Sequence, residues 1–146
     1  MQSKISNNLF YTCSLIEYIG RETKNKRCDI VNALGKETIE HIFNYADVFH
    51  CESIAAVADR FIDEFNIENG EFDNIKECKY QIPSYWDIGA VYQRLIGDLD
   101  SQNIIDKLIE VYNSWITEYI DNYNIAVYYM SPQYLRLSYE EGELIE

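Results

Sequence analysis

The 146-residue sequence lacks several features that would place it in a familiar class. It has no run of about 18 consecutive apolar residues, so we expect no transmembrane helix. The apolar stretch 9–19 contains Glu17 and no small-residue cleavage site, which argues against a signal peptide. No Cys-x-x-Cys pair occurs among the 4 cysteines, and no glycine-rich phosphate-binding loop is present. We therefore expect a cytoplasmic protein that binds no cofactor and no metal ion.

Basic residues are also scarce. Lys and Arg number 12 against 25 Asp and Glu, which gives a net charge of −13. Such an acidic surface repels phosphates, so we expect it to bind neither nucleic acid nor an anionic membrane. The charge is uneven, because the first 36 residues carry +3 and the remaining chain carries −16. A protein partner with a basic surface would be attracted to the larger, acidic part.

Apolar residues recur at intervals of three and four along most of the chain, the pattern of amphipathic helices. This period is lost over 66–82, which is rich in Asn, Asp and Gly and predicts one long irregular connection. Residues 101–123 have the widest apolar face, and we expect them to form the central helix. The predicted helices span residues 4–23, 26–34, 37–49, 54–65, 84–99, 101–123 and 132–141. The fold class is therefore all-α, a compact bundle of about six or seven helices in one domain, residues 1–146.

Several helix boundaries are marked by capping residues. Ser53 and Ser131 precede apolar-periodic segments as N-caps, and Pro132 suits the first position of a helix. Ser84 is followed three residues later by Asp87, which predicts a capping box. Asn25 is expected to cap the helix over 26–34, and Gly35 is expected to end it.

The two histidines are the first candidates for chemistry. Cys51 directly follows His50, His41 lies nine positions earlier, and Cys78 is a possible fourth ligand from the irregular connection. A zinc site needs about four such ligands converging in a tetrahedron, and a cysteine nucleophile needs a positioned base. Neither motif is complete, so ordinary packed or surface side chains are the favoured interpretation. The alternative is a small helical enzyme, or a metal- or ligand-binding domain, that uses His41, His50 and Cys51.

The most distinctive stretch is 83–98, PSYWDIGAVYQRLIGD. Its two glycines, Gly89 and Gly97, each cost a helix about 1 kcal/mol relative to alanine, which indicates close approach of another helix. Aromatic and arginine side chains dominate the energetics of protein interfaces. The predicted partner-binding residues are Trp86, Asp87, Tyr92 and Arg94.

This stretch, together with 15–34 (LIEYIGRETKNKRCDIVNAL) and 46–50 (ADVFH), resembles a group of small bacterial proteins encoded near ADP-ribosyltransferase-like toxin genes. The resemblance covers most of the chain and implies an antitoxin-like or accessory partner of such a toxin. It supplies no catalytic residue. We therefore expect an acidic protein-binding or regulatory module rather than an enzyme. A third hypothesis is mimicry of nucleic acid by the acidic surface.

Overall fold

The computed structural model describes residues 2–146, except the side chain of Gln2, and the regular secondary structure of these residues is helical, with no strand. None of the helices in this range has both the length and the apolar composition that a bilayer crossing requires. The α-helices are α1 (Gln2–Thr23), α2 (Arg27–Asn44), α3 (Ala46–Phe49), α4 (Ile54–Glu64), α5 (Tyr85–Leu99), α6 (Ile104–Tyr112), α7 (Ile116–Ile120) and α8 (Pro132–Glu141), with a short 3-10 helix at Ala126–Tyr129. The predicted all-α bundle is confirmed.

The central helix is α1, which contacts α2, α3, α4 and α5. Its residues Cys13, Leu15, Ile16 and Ile19 are completely buried. The prediction that 101–123 forms a continuous central helix is wrong, because the chain divides there into α6 and α7. At the break, the Asn113 side-chain amide donates to a carbonyl of the last turn of α6. Side chains that bond nearby backbone in this way compete with helix continuation.

Glycine 35 interrupts α2 as the sequence predicts. Its φ of 82° and ψ of 164° lie outside the helical region, and glycine adopts a positive φ without the steric cost of a Cβ atom. The helical segment after Gly35 reaches Asn44, where a second break at Tyr45 separates it from α3. The predicted helix over 37–49 is therefore interrupted near its end.

The predicted serine caps are confirmed. Asn25 does not cap α2, because the N-cap position is Lys26 and the Asn25 side chain donates to Thr23 and Glu68 instead. Ser84 Oγ accepts from the Asp87 backbone N–H at 3.0 Å, and Asp87 Oδ2 accepts from the Ser84 backbone N–H at 2.9 Å, which completes the capping box of α5. Ser53 and Ser131 cap α4 and α8 by accepting a backbone N–H three residues later. Gly142 ends α8 with a φ of 88°. These local signals determine where three helices begin.

The two glycines of α5 differ in their surroundings. A Cβ atom added at Gly89 would lie 2.9 Å from Ser14 Cα on α1, so this glycine permits the close helix contact that the sequence predicts. A Cβ atom at Gly97 would have Leu9 Cδ2 as its nearest neighbour, at an ordinary 4.0 Å. The close approach that the sequence predicts at Gly89 or Gly97 therefore occurs at Gly89.

The long connection between α4 and α5 is irregular but closely bound to the helices. The Gly70 and Phe72 backbone N–H groups donate to the carbonyls of Thr23 and Lys24, at 2.8 and 2.9 Å. Near its other end, the loop exchanges two hydrogen bonds with the side-chain amide of Asn124. The connection thereby forms a wall beside the C-terminal end of α1 and the segment after α7.

Candidate functional site

The predicted partner-binding residues separate into three environments on α5. Asp87 and Arg94 are exposed and line one groove, as expected for positions seven residues apart on a helix. Trp86 is half-buried and lines a different depression. Tyr92 is completely buried. The structure therefore brings together Asp87 and Arg94 and leaves the other two apart.

Tyr92 has no surface to offer a partner, so its predicted role in partner binding is corrected. Its ring stacks on that of Tyr112 at a centroid distance of 4.3 Å, and its hydroxyl donates to Asp121 Oδ1 at 2.8 Å. The sequence contains the signal for this placement. Tyr92 lies four residues after Ile88 and three before Leu95, which are both fully buried on the same helix.

A groove beside α5 is one of two candidate binding surfaces on this helix. We name it the α5 groove; it encloses about 440 Å³ between α5, the end of the irregular connection and the segment before α8. Tyr129 is 68% exposed, and Ile82 and Met130 are each about two-fifths exposed, so three exposed apolar side chains share this groove. The lining of the groove includes Ile82, Asp87, Arg94, Tyr129 and Met130.

Trp86 belongs to an aromatic cluster at the other side of α5. Its ring lies 5.4 Å from that of Phe10 and 6.1 Å from that of His50, measured between centroids. His50 also makes an edge contact with Tyr11, at 5.6 Å. These side chains line a shallow depression of about 630 Å³ between α1, α3 and α5. Trp86 therefore packs α5 against α1 and keeps part of its ring exposed.

The residues of the alternative metal or catalytic site do not converge. His41 packs against the rings of Tyr45 and Phe49, whereas His50 lies against Trp86 in the aromatic cluster. The Cys51 thiol donates to the Asp47 carbonyl at 3.5 Å. Within residues 2–146, no group of three or more His, Cys, Asp or Glu side chains is placed to hold a metal ion.

A group of buried charges lies at the centre of the molecule. Glu17 of α1 accepts two hydrogen bonds from Arg27, both at 2.9 Å, and one from Arg21 at 2.8 Å. The Tyr123 hydroxyl donates to the same carboxylate. Glu17 is completely buried and Arg27 is 1% exposed. We call Glu17, Arg21, Arg27, Tyr123 and Asp121 the charge cluster.

The arginines determine the charge state of Glu17. Burial alone would raise the pKa of this carboxyl, but the charges and hydrogen bonds of Arg27, assisted by Arg21 and Tyr123, lower it to about 2. The pKa of Arg27 is raised in turn by Glu17, against the opposing effect of burial. Both groups are therefore ionised at neutral pH and stabilise each other.

The negative charge of Asp121 is balanced by the arginines of the charge cluster less completely than that of Glu17. Burial and the negative charge of Glu17 raise its pKa to about 7, although Arg27, the hydroxyl of Tyr92 and Arg21 act in the opposite direction. Tyr92 occupies Oδ1, and no donor among the described residues bonds Oδ2. The backbone carbonyl of Asp121 accepts from the Asn74 side chain at 2.9 Å.

A cavity of about 540 Å³ lies beside the charge cluster, and we name it the Asp121 cavity. One wall comes from the irregular connection through Phe72 and Asn74, and the other comes from α7 and its flanks. The Phe72 ring also lies 5.7 Å from the guanidinium carbon of Arg27, within the range of a cation–π contact. This volume falls in the range of small-molecule sites.

The sequence analysis missed both the cluster and the cavity. Glu17 interrupts an apolar helical face at Cys13 and Ile16, which is a signal for a buried carboxylate. Its partners could not be identified by spacing, because Arg27 and Tyr123 come from other elements and Tyr123 is 106 residues away. The fold alone brings these groups together.

Comparisons with protein-family models, curated proteins and solved structures found no match to the chain.

Proposed function

We propose that this protein is a binding module whose α5 groove docks on a protein partner with a basic surface. The observation that carries the proposal is the exposure of Ile82, Tyr129 and Met130 around one groove that also presents Asp87 and Arg94. Exposed apolar side chains next to charged ones are typical of protein interfaces.

The chemistry of the partner follows from charge. The residues that line the groove all belong to the part of the chain beyond residue 36, which carries a net charge of −16. A basic surface would be steered toward this part, and an apolar side chain at its centre would fill the groove. Arg94 has no ion-pair partner among residues 2–146, so it is available to fix the orientation by pairing with a carboxylate of the partner.

The resemblance described above makes an ADP-ribosyltransferase-like toxin the first partner to test. An antitoxin acts by occupying a surface of its toxin, and such a role needs no catalytic residue in this chain. The proposed activity is therefore binding, with the α5 groove as the contact surface.

The test is co-expression with an ADP-ribosyltransferase-like protein encoded beside this gene, followed by measurement of affinity for the purified pair. Tyr129→Ser and Arg94→Glu should each weaken binding at least tenfold. Tyr45→Ser is the matched control, because Tyr45 is 51% exposed and lies away from the groove. Affinity should also fall as the ionic strength rises from about 0.05 to 0.3 M. Absence of a complex at low salt, or equal affinity of all three variants, would overturn the proposal.

A further inference from the structure

The Asp121 cavity contains the buried carboxylate of Asp121, and only one of its two oxygens accepts a hydrogen bond from the protein. Asp121 is 5% exposed, and its Oδ1 accepts from Tyr92. Oδ2 receives no hydrogen bond from residues 2–146. One oxygen of this largely buried carboxylate is therefore free to accept from a polar ligand in the cavity.

The charges around the cavity favour a cation. Arg27 is already satisfied by Glu17 and by two other acceptors. The remaining ionisable groups of the lining, other than tyrosine and cysteine, are Asp121, Glu77, Glu118 and Lys26, three acids against one base. None of these four side chains forms an ion pair within the described residues.

The free oxygen of Asp121 suits a compact cation. Tyr92 already donates to Oδ1, and Oδ2 receives no hydrogen bond from the described residues. An ammonium group is a compact charge that needs only one carboxylate oxygen. The apolar stem behind it would lie against Phe72, the aromatic side chain of the irregular connection in the cavity wall.

We infer that the Asp121 cavity binds a small aliphatic primary amine in its ammonium form, with Asp121 as the anionic partner. This inference is independent of the α5 groove, since the two sites share no lining residue.

The test is a titration of the full-length, nitrogen-15-labelled protein with butylamine, followed by amide NMR shifts. Butylammonium should shift the amides of Phe72, Asp121 and Asn122 in a saturable manner, and the neutral analogue 1-butanol should bind at least tenfold more weakly. The titration is run at a pH of about 8, because the pKa of Asp121 is raised to about 7 and the carboxylate is then ionised. Equal binding of the two compounds, or no shift at these amides, would overturn the inference.

A pair of variants tests the role of the carboxylate. Asp121→Asn should weaken butylammonium binding at least tenfold, whereas Asp98→Asn on the exposed side of α5 should leave it unchanged. Unchanged affinity in a folded Asp121→Asn protein would overturn the assignment. If this variant does not fold, the comparison of butylammonium with 1-butanol on the unaltered protein decides the question by itself.

Discussion

Glu17 and Arg27 form a two-pronged ion pair in the core, with Oε1 and Oε2 each 2.9 Å from a guanidinium nitrogen. The pair joins α1 to the first turn of α2 across the short connection between them. Two charges removed from water lose several kcal/mol of hydration each, and only good geometry with further hydrogen bonds recovers this cost. Arg21 and Tyr123 supply those further bonds to Glu17.

Glu17→Gln should strongly destabilise the fold. The substitution keeps the shape of the side chain but leaves the buried Arg27 without its counter-charge, which costs about 3–5 kcal/mol of unfolding free energy. Glu52→Gln is the matched control, because Glu52 pairs with Arg60 at the surface, where both side chains are about half exposed. Urea denaturation should give a clearly smaller loss for the control. Similar losses in both variants would contradict a central role for the buried pair.

The stability of the protein should depend on the titration of Asp121. Burial and Glu17 raise its pKa from 3.8 to about 7. Between pH 3.8 and 7, the folded state therefore keeps a proton that the unfolded state has released. The resulting stabilisation is complete below pH 3.8 and is lost as the pH rises toward 7, at up to about 1.4 kcal/mol per pH unit. Relative to Asp121→Asn, the unaltered protein should therefore lose stability over this interval. Denaturation curves at a series of pH values check the slope, and Asp98→Asn should retain it.

Glu17 should produce the opposite pH dependence at lower pH. Arg27, Arg21 and Tyr123 lower the pKa of this carboxyl from 4.5 to about 2, against the effect of burial. Its contribution to stability is present above pH 4.5 and is lost as the pH falls through 2. Acid unfolding followed by far-ultraviolet circular dichroism should show a steep loss of helix in this interval. A protein that stays equally stable down to pH 2 would contradict the role assigned to this carboxylate.

The two buried tyrosines of α5 and α6 should respond differently to loss of the hydroxyl. Tyr92→Phe removes a hydrogen bond to Asp121 and should cost about 1–3 kcal/mol of unfolding free energy. Tyr112→Phe removes a hydroxyl that bonds no nitrogen or oxygen and lies beside the buried Cys13 thiol, which is a weak hydrogen-bond partner, so it should cost less than Tyr92→Phe. Both residues are completely buried, which makes them a matched pair for thermal or urea denaturation. The reverse order of stabilities would show that Tyr112 has a stronger partner.

The glycines of α5 offer another internally controlled comparison. Gly89→Ala would place a methyl group 2.9 Å from Ser14 Cα and force α1 and α5 apart, at a cost of about 1–3 kcal/mol. Gly97→Ala meets no close neighbour and should stabilise α5 by up to about 1 kcal/mol through its higher helix propensity. Melting temperatures that move in opposite directions would support this assignment. A stabilised Gly89→Ala protein would contradict it.

Local features of this fold were predictable and long-range ones were not. The capping box of Ser84 and Asp87 and the break at Gly35 depend on residues within a few positions of each other, so the sequence alone identifies them. The division of 101–123 was missed because apolar periodicity continues across Asn113, whose side chain takes a helix carbonyl. The width of an apolar face shows how much is buried, but it does not show which helix lies at the centre.

The same distinction explains the outcome at the candidate sites. Asp87 and Arg94 could be placed on one surface because a single helix relates them. The partners of Glu17 and Asp121 come from α1, α2, α5 and the segment after α7, and no spacing rule connects such elements. Exposed apolar residues such as Tyr129 likewise become a surface feature only after the chain has folded.

The backbone hydrogen bonds from Gly70 and Phe72 to the end of α1 couple the irregular connection to the fraying of that helix. Fraying of the last turn of α1 would release both amides, and the Phe72 side of the Asp121 cavity would loosen with them. Deuterium exchange at these two amides therefore reports on the opening of the cavity. A residue change in the last turn of α1, outside the cavity itself, should therefore change the exchange rates of both amides.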